Sequence, residues 1–252
     1  MGFEIDKEGL ELRQLLCSSV FENQKQIIEV SVQVRQEDKL KKDLEEIEKK
    51  IASLELPLKS FKEENSKEAT YILDDCTKLI TEIDKLIQMI NSVYGSRYLK
   101  DMRTAATNKR KEILLLQDTL NEWVKFQKNY IYLESIFSQS EMRKSLAQEG
   151  KEFEENVNKQ YKQNIKKVIT NNSMMQLFKQ KIIETLFNSF KKHNGILHEL
   201  NKKINYFLDS KRENFPRFYF IPNEELIFIL ANYDNPEAVQ TFIGKLFQNV
   251  HK

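Results

Sequence analysis

The stretch KRENFPRFYFIPNEELIFIL, residues 211–230, interrupts a chain that otherwise reads as one charged helix after another. Four aromatic residues, Phe215, Phe218, Tyr219 and Phe220, fall within six positions, and two of the chain's four prolines, Pro216 and Pro222, punctuate them. Proline pushes the residue before it out of helical geometry, so Phe215 is expected to be extended. Phe218 and Phe220 would then lie on one face and Tyr219 on the other. Burying each aromatic contributes about 1.5–3 kcal/mol, and ordering each residue of the run costs about 1–2 kcal/mol. The run therefore cannot hold itself, and it is expected to be a buried clamp between neighbouring elements.

Upstream of this segment the apolar positions recur at helical spacing. Leu40, Leu44, Ile47, Ile51 and Leu54 are spaced 4, 3, 4, 3 within a helix expected over 20–55, which Pro57 stops. A second pattern is expected from about Lys67, through Ile72, Leu79, Ile83, Leu86 and Ile90, to a glycine cap at Gly95. A third runs from Tyr98 to Phe137 through Ile113, Leu116, Leu120, Trp123, Gln127 and Tyr130. Phe153, Val157, Tyr161, Ile165 and Val168 mark a fourth, which frays at Thr170–Ser173. The fifth keeps one face apolar from Ile183 to Phe207, with Gly195 weakening it by about 1 kcal/mol relative to alanine.

Downstream, Asn223 is placed to cap a short apolar helix that opens with Glu224 and Glu225. Asp234-Asn235-Pro236-Glu237 stops it and starts another, with proline at the first helical position. The last helix stays apolar almost to the end, which suggests a cut chain. The expected fold is all-α: elongated antiparallel helical bundles with a short extended proline and aromatic segment near 215–221. The expected domains are 1–137 and 138–252.

Composition agrees with long helices. Of 252 residues 31% are charged and 40% hydrophobic, with only six glycines and four prolines. Two distant cysteines give no disulfide framework, and no apolar signal core or run of about 18 apolar residues occurs, so a soluble intracellular protein is expected. The net charge of +2 hides an uneven distribution, with +9 concentrated in residues 159–212 (12 basic, 3 acidic). Such a stretch could steer an acidic partner. Its ordinary reading is a solvated helix face, because lysines fall on both sides of the apolar stripe.

Catalytic signatures are missing. Gly244-Lys245 lacks both the upstream glycine and the following Ser or Thr of a phosphate loop. His193 and His198 are five apart, which does not place both on one helix face for a metal, and both read as surface or rim histidines. Asp74-Asp75 and Glu224-Glu225 are adjacent pairs whose side chains diverge on a helix. No catalytic, cofactor-binding or metal residue is expected. Nucleic acid is disfavoured as well, since the aromatics of 215–220 sit outside the basic stretch.

Two separated motifs carry more than composition. Trp123-x-x-x-Gln127-x-x-Tyr130-x-Tyr132-Leu133-Glu134-x-Ile136-Phe137 resembles the WxxxQxxWxYLExIF signature of dynein heavy chains, in the part that precedes the motor ring. Tyr206-Phe207-Leu208-Asp209-x-Lys211-Arg212-x-x-Phe215-Pro216-Arg217-Phe218-Tyr219-Phe220 is similar to the YLExKRxxFPRFYF run of the same family. Asn223-Glu224-Glu225-Leu226 with Ile229-Leu230 resembles its next helix, NDELLxIL. Tyr130 stands where the family usually has a second tryptophan, and Leu146-Ala147 where Leu-Pro is common. Glu149-Gly150-Lys151 and Asp234-Asn235-Pro236-Glu237 resemble axonemal more than cytoplasmic dyneins.

The resemblance implies the linker, a helical arm over a ring of AAA+ modules that swings to deliver a power stroke. It implies no cofactor in this segment, with ATP and magnesium in the downstream ring. The implied partners are that ring and other dynein subunits, with microtubules reached only indirectly and neither nucleic acid nor membrane. The implied location is the cytoskeleton of a cilium or flagellum. The residues expected to carry the mechanical role are Trp123, Gln127, Tyr130, Tyr132, Leu133 and Glu134, together with Phe215, Pro216, Arg217, Phe218, Tyr219 and Phe220. The alternative is a generic helical scaffold, a spectrin-like bundle or coiled-coil spacer, for which the seam at 40–54 speaks.

Overall fold

The computed structural model describes residues 23–61, 70–171 and 173–247. Helix α1 (Gln24–Ser53) is followed by a hairpin of β1 (Leu58–Phe61) and β2 (Thr70–Leu73), then by α2 (Thr77–Tyr94) and α3 (Arg103–Phe137). Two short helices, α4 (Ser140–Ser145) and α5 (Ala147–Phe153), lead through a π-turn at Glu154–Asn158 into α6 (Lys159–Thr170). Helix α7 (Met174–Lys179) precedes the long α8 (Ile182–Asn214). A 3-10 turn at Pro216–Phe220 then leads to α9 (Asn223–Ala231) and α10 (Pro236–Leu246). The fold is an all-α helical bundle carrying one small antiparallel hairpin.

The hairpin corrects the expected second helix. Ile72 belongs to β2, paired with Lys59, and the helix begins only at Thr77. Thr70-Tyr71-Ile72-Leu73 is a β-branched and aromatic run that suits a strand. Asp75 then opens the helix: its carboxylate accepts the Thr77 backbone N–H at 2.9 Å and also the Thr77 hydroxyl. Those two bonds hold the Asp75 carboxyl below its ordinary range. The expected start at Lys67 lies outside the described residues. Gly95 follows α2 without a left-handed backbone, so the expected glycine cap is an ordinary turn.

The chain divides into two compact units, Met1–Lys50 with Lys85–Lys111 and Ile51–Asp84 with Glu112–Lys252. Both are discontinuous in sequence. In the first, Leu40, Ile47, Leu86, Ile90, Val93, Leu99 and Ala106 are buried. Lys109 pairs with Glu48 at 3.1 Å, and the Arg103 and Arg110 guanidinium groups lie over the Tyr94 ring. In the second, the core is aromatic, with Trp123, Phe126, Tyr130, Tyr161 and Phe190 all essentially inaccessible.

The π-turn has a reason in the sequence. Phe153, Val157, Tyr161 and Ile165 are each four residues apart and all buried. A helix of 3.6 residues per turn overshoots about 40° at every such step. One wider turn absorbs part of that drift and keeps all four side chains on the core face. Asn158, at the end of the turn, is buried with them.

The opening segment departs most from expectation. Phe215 is extended (φ −136°, ψ 91°), as the following proline requires, and so is Ile221 after the turn. Between them Pro216–Phe220 winds into a 3-10 turn, closed by the Phe218 N–H donating to the Phe215 carbonyl at 3.0 Å. Proline's fixed φ suits the first position of a helical turn as well as it suits a strand. Tyr219 is 61% and Phe220 72% exposed, so the expected buried aromatic clamp is not how this segment is held.

Candidate functional site

In the unit of residues 51–84 and 112–247, one face of α3 presents Trp123, Phe126, Gln127, Tyr130 and Leu133, each three or four residues from another of the set. Four of these are apolar or aromatic and fully buried; Gln127 is half-buried and polar. Its carboxamide makes two bonds to one peptide residue. The Leu73 N–H donates to Gln127 Oε1 at 2.8 Å, and Gln127 Nε2 donates to the Leu73 carbonyl at 2.8 Å. The side chain thus continues the ladder of β2 as a third strand would.

Above it the aromatic rings stack. Trp123 lies on Phe190 of α8 with ring centres 5.1 Å apart at 26°, and Phe126 sits 5.4 Å from Tyr130, 4.9 Å from Tyr161 and 5.1 Å from Phe190. Their polar atoms bind the surroundings. The Tyr161 hydroxyl donates to the Tyr71 carbonyl of β2 at 2.7 Å, a second tie to the hairpin. The Tyr130 hydroxyl donates to Asn158 Oδ1 at 2.8 Å, and Asn158 Nδ2 donates to Glu154 at 2.9 Å within the π-turn. Burial pushes the Tyr161 hydroxyl well above its ordinary pKa. The buried Trp123 indole N–H has no hydrogen-bond acceptor among the described residues.

His193 is not a surface histidine; it is fully buried. Its Nε2 stands 3.1 Å from Gln160 Oε1, which can only accept, so the proton sits on Nε2 and Nδ1 faces the Ser189 hydroxyl at 3.4 Å. Burial, with Lys192 adding to it, lowers its pKa to about 4.

The second motif is held by arginines. Arg212 donates from Nη2 to Asn223 Oδ1 at 2.7 Å and to the Ile221 carbonyl at 3.3 Å, and its Nε approaches the Phe218 carbonyl at 3.5 Å. Asn223 does not cap α9 with its side chain, as expected; it accepts from Arg212 and donates to Asn205 Oδ1 at 3.0 Å. Arg217 donates to the Leu246 carbonyl at 2.9 Å and lies 4.3 Å from the Phe247 ring centre. Phe215 and Phe218 meet edge to face at 4.8 Å and are half-buried, while Pro216 is exposed.

Tyr132 is half-buried, and its hydroxyl pKa is raised by burial first and by Glu224 of α9 second. Glu134 is half-buried on the same turn. Residue spacing alone did not single out Tyr161, Asn158, Arg212 or His193 as functional. For His193 a signal existed, because Phe190, His193, Leu197, Leu200 and Ile204 form one helical stripe and all are buried. The arrangement supports and positions; among the described residues no three His, Cys, Asp or Glu side chains stand together to hold a metal ion, and no helix is long and apolar enough to cross a membrane.

Comparison with known proteins places these motifs. The family model described as dynein heavy chain, N-terminal region 2, matches residues 1–252. The human protein dynein axonemal heavy chain 6 is 31% identical over 243 residues, covering 96% of this chain and 6% of its own. Dynein axonemal heavy chain 1 of Mus musculus is 27% identical, covering 97% of this chain and 6% of its own. Dynein axonemal heavy chain 2 of the same organism is 26% identical, covering 98% and 5%. The chain therefore spans only a few per cent of the length of the curated relatives it matches.

Proposed function

The chain belongs to the dynein heavy chains, within their N-terminal region 2, and on that premise we propose that it is a segment of the linker, a mechanical lever that does no chemistry itself. In this reading ATP and magnesium act in a downstream AAA+ ring, whose rearrangement biases the positions of the arm. The ring is its first partner, other dynein subunits are further ones, and microtubules are engaged only through the rest of the motor. The axonemal names of the relatives support a place in a cilium or flagellum.

The observation that carries the reading is the pair of hydrogen bonds between Gln127 and Leu73 beneath the stacked rings of Trp123, Phe126, Tyr130, Tyr161 and Phe190. A lever passes force only where elements distant in sequence are fixed to one another. Here a hairpin and three helices share one set of contacts. The scaffold reading draws on the buried seam of α1, at Leu40, Ile47 and Ile51. It gives no role to the polar ties around Gln127.

The test uses a full-length heavy chain carrying Gln127→Ala with Trp123→Ala. Microtubule gliding should slow while ATP turnover per motor persists. Gliding and turnover that fall in parallel, or that both stay unchanged, would remove the lever.

A further inference from the structure

We propose that the seam between α6 and α8 is a docking surface for an acidic polypeptide segment. Two bonds define the seam: Gln160 to His193 at 3.1 Å and Asn164 to Ser189 at 2.9 Å. As residue numbers rise on one helix they fall on the other, so the two run antiparallel. At 3.6 residues per turn, the outward flank beside these contacts carries Lys159, Gln163 and Lys167 on α6. It carries Lys181, Thr185 and Lys192 at the start and along the first turns of α8. All six are exposed.

The strip is strongly basic, and its four lysines close no ion pair among the described residues. No acidic residue occurs between Glu155 and Glu184, and none between Glu184 and Glu199. Glu155 and Glu184, four and three residues from Lys159 and Lys181, flank the strip without closing an ion pair to it. Among the described residues Lys159, Lys167, Lys181 and Lys192 have no carboxylate within ion-pair distance, whereas Lys202 and Lys203 further along α8 pair with Glu199 and Glu152 at 2.8 Å each. Four unneutralised ammonium groups on a rigid pair of helices repel one another, and an incoming row of carboxylates relieves that repulsion. Lys181 also holds a left-handed backbone, φ 54°, the one positive φ outside glycine among the described residues.

The chemistry of the strip favours a polypeptide over other polyanions. Its cations are lysines without an arginine, so the forked geometry that grips phosphate in pairs is missing. The side chains between them are neutral and polar, offering no aromatic face for a base and no apolar group for a bilayer.

The experiment measures anisotropy of a fluorescein-labelled peptide of about 20 residues, mostly glutamate, titrated with the 252-residue chain at two salt concentrations. We expect binding that weakens with salt and a loss of about tenfold or more in the K159Q/K167Q/K181Q/K192Q variant. A variant that removes as much charge from α1, K25Q/K39Q/K41Q/K49Q, should change affinity by less than about threefold. Equal loss in both variants, absence of binding, or tighter strip-dependent binding of polyuridylate or phosphatidylserine vesicles would overturn the proposal. Carbodiimide cross-linking of the same peptide to the unaltered chain gives a readout independent of the variant's folding. Cross-links at Lys159, Lys167, Lys181 and Lys192 support the surface, and cross-links confined elsewhere refute it.

Discussion

Gln127 grips Leu73 at both ends of one residue's backbone, accepting its N–H and donating to its carbonyl, each at 2.8 Å. Leu73 is buried, and each of those groups left unpaired there costs about 1–3 kcal/mol. Gln127→Ala should therefore destabilise the chain by about 2 kcal/mol in urea unfolding, and the Leu73 amide should lose hydrogen-exchange protection first. Gln127→Glu should cost at least as much, because a carboxylate faces the Leu73 carbonyl with no proton to donate. Unchanged stability in Gln127→Ala would mean that water serves the strand equally well.

The turn at 216–220 separates two accounts of what holds it. Phe220 is 72% exposed, so Phe220→Ala should change stability by no more than about 0.5 kcal/mol. Arg212 joins the carbonyl of Ile221 and the side chain of Asn223 to α8. Arg212→Met keeps most of the stem but removes those donors, and it should cost about 1–3 kcal/mol. Thermal unfolding of the two variants decides the matter, and a larger loss in Phe220→Ala would restore the aromatic clamp.

Local pattern carried much of this fold and little of its fastening. Helices α1, α3, α6 and α8 follow apolar positions three and four apart, which is a property of neighbouring residues. The hairpin escaped because Ile72 stands seven residues before Leu79 and so continues the stripe of α2, although Thr70-Tyr71-Ile72 is strand-like by itself. The aromatic run misled because the restriction proline places on Phe215 does not extend past Pro216. What holds the segment is the reach of Arg212 and Arg217 to atoms 6 to 29 positions away, which no local spacing encodes. Of the first motif, Gln127 was legible in sequence as a motif position on the α3 stripe, yet its partner on a strand not expected to exist could not be named.

Lys181 sits in left-handed geometry immediately before α8, where every L side chain is strained and glycine is not. Lys181→Gly should stabilise the chain by about 0.5–1 kcal/mol, less what glycine gains in unfolded-state freedom. Lys181→Val should destabilise it, since β-branching is least tolerated there. Chemical denaturation of both variants tests the sign. A loss of stability with glycine would show that the lysine stem contributes packing that outweighs its strain.

His193 makes stability depend on pH in a definite direction. Buried and neutral, it has a folded pKa of about 4 against an ordinary value of 6.5. Between those values the unfolded chain binds a proton that the folded chain refuses, so stability rises with pH across this window. Above about pH 6.5 the contribution is complete; as pH falls towards 4 about 3 kcal/mol is lost, and below that both states are protonated and the loss levels off. Lys192 works in the same direction, because its charge disfavours an imidazolium beside it. Gln160 and Ser189 could both accept from an imidazolium, so burial and Lys192, not these two partners, are what keep the ring neutral. His193→Gln keeps a donor towards Gln160 and cannot titrate, so its stability should fall less steeply than that of the parent chain from pH 7 to pH 4. Parallel unfolding curves for the two proteins across that range would show that the buried imidazole does not set the slope.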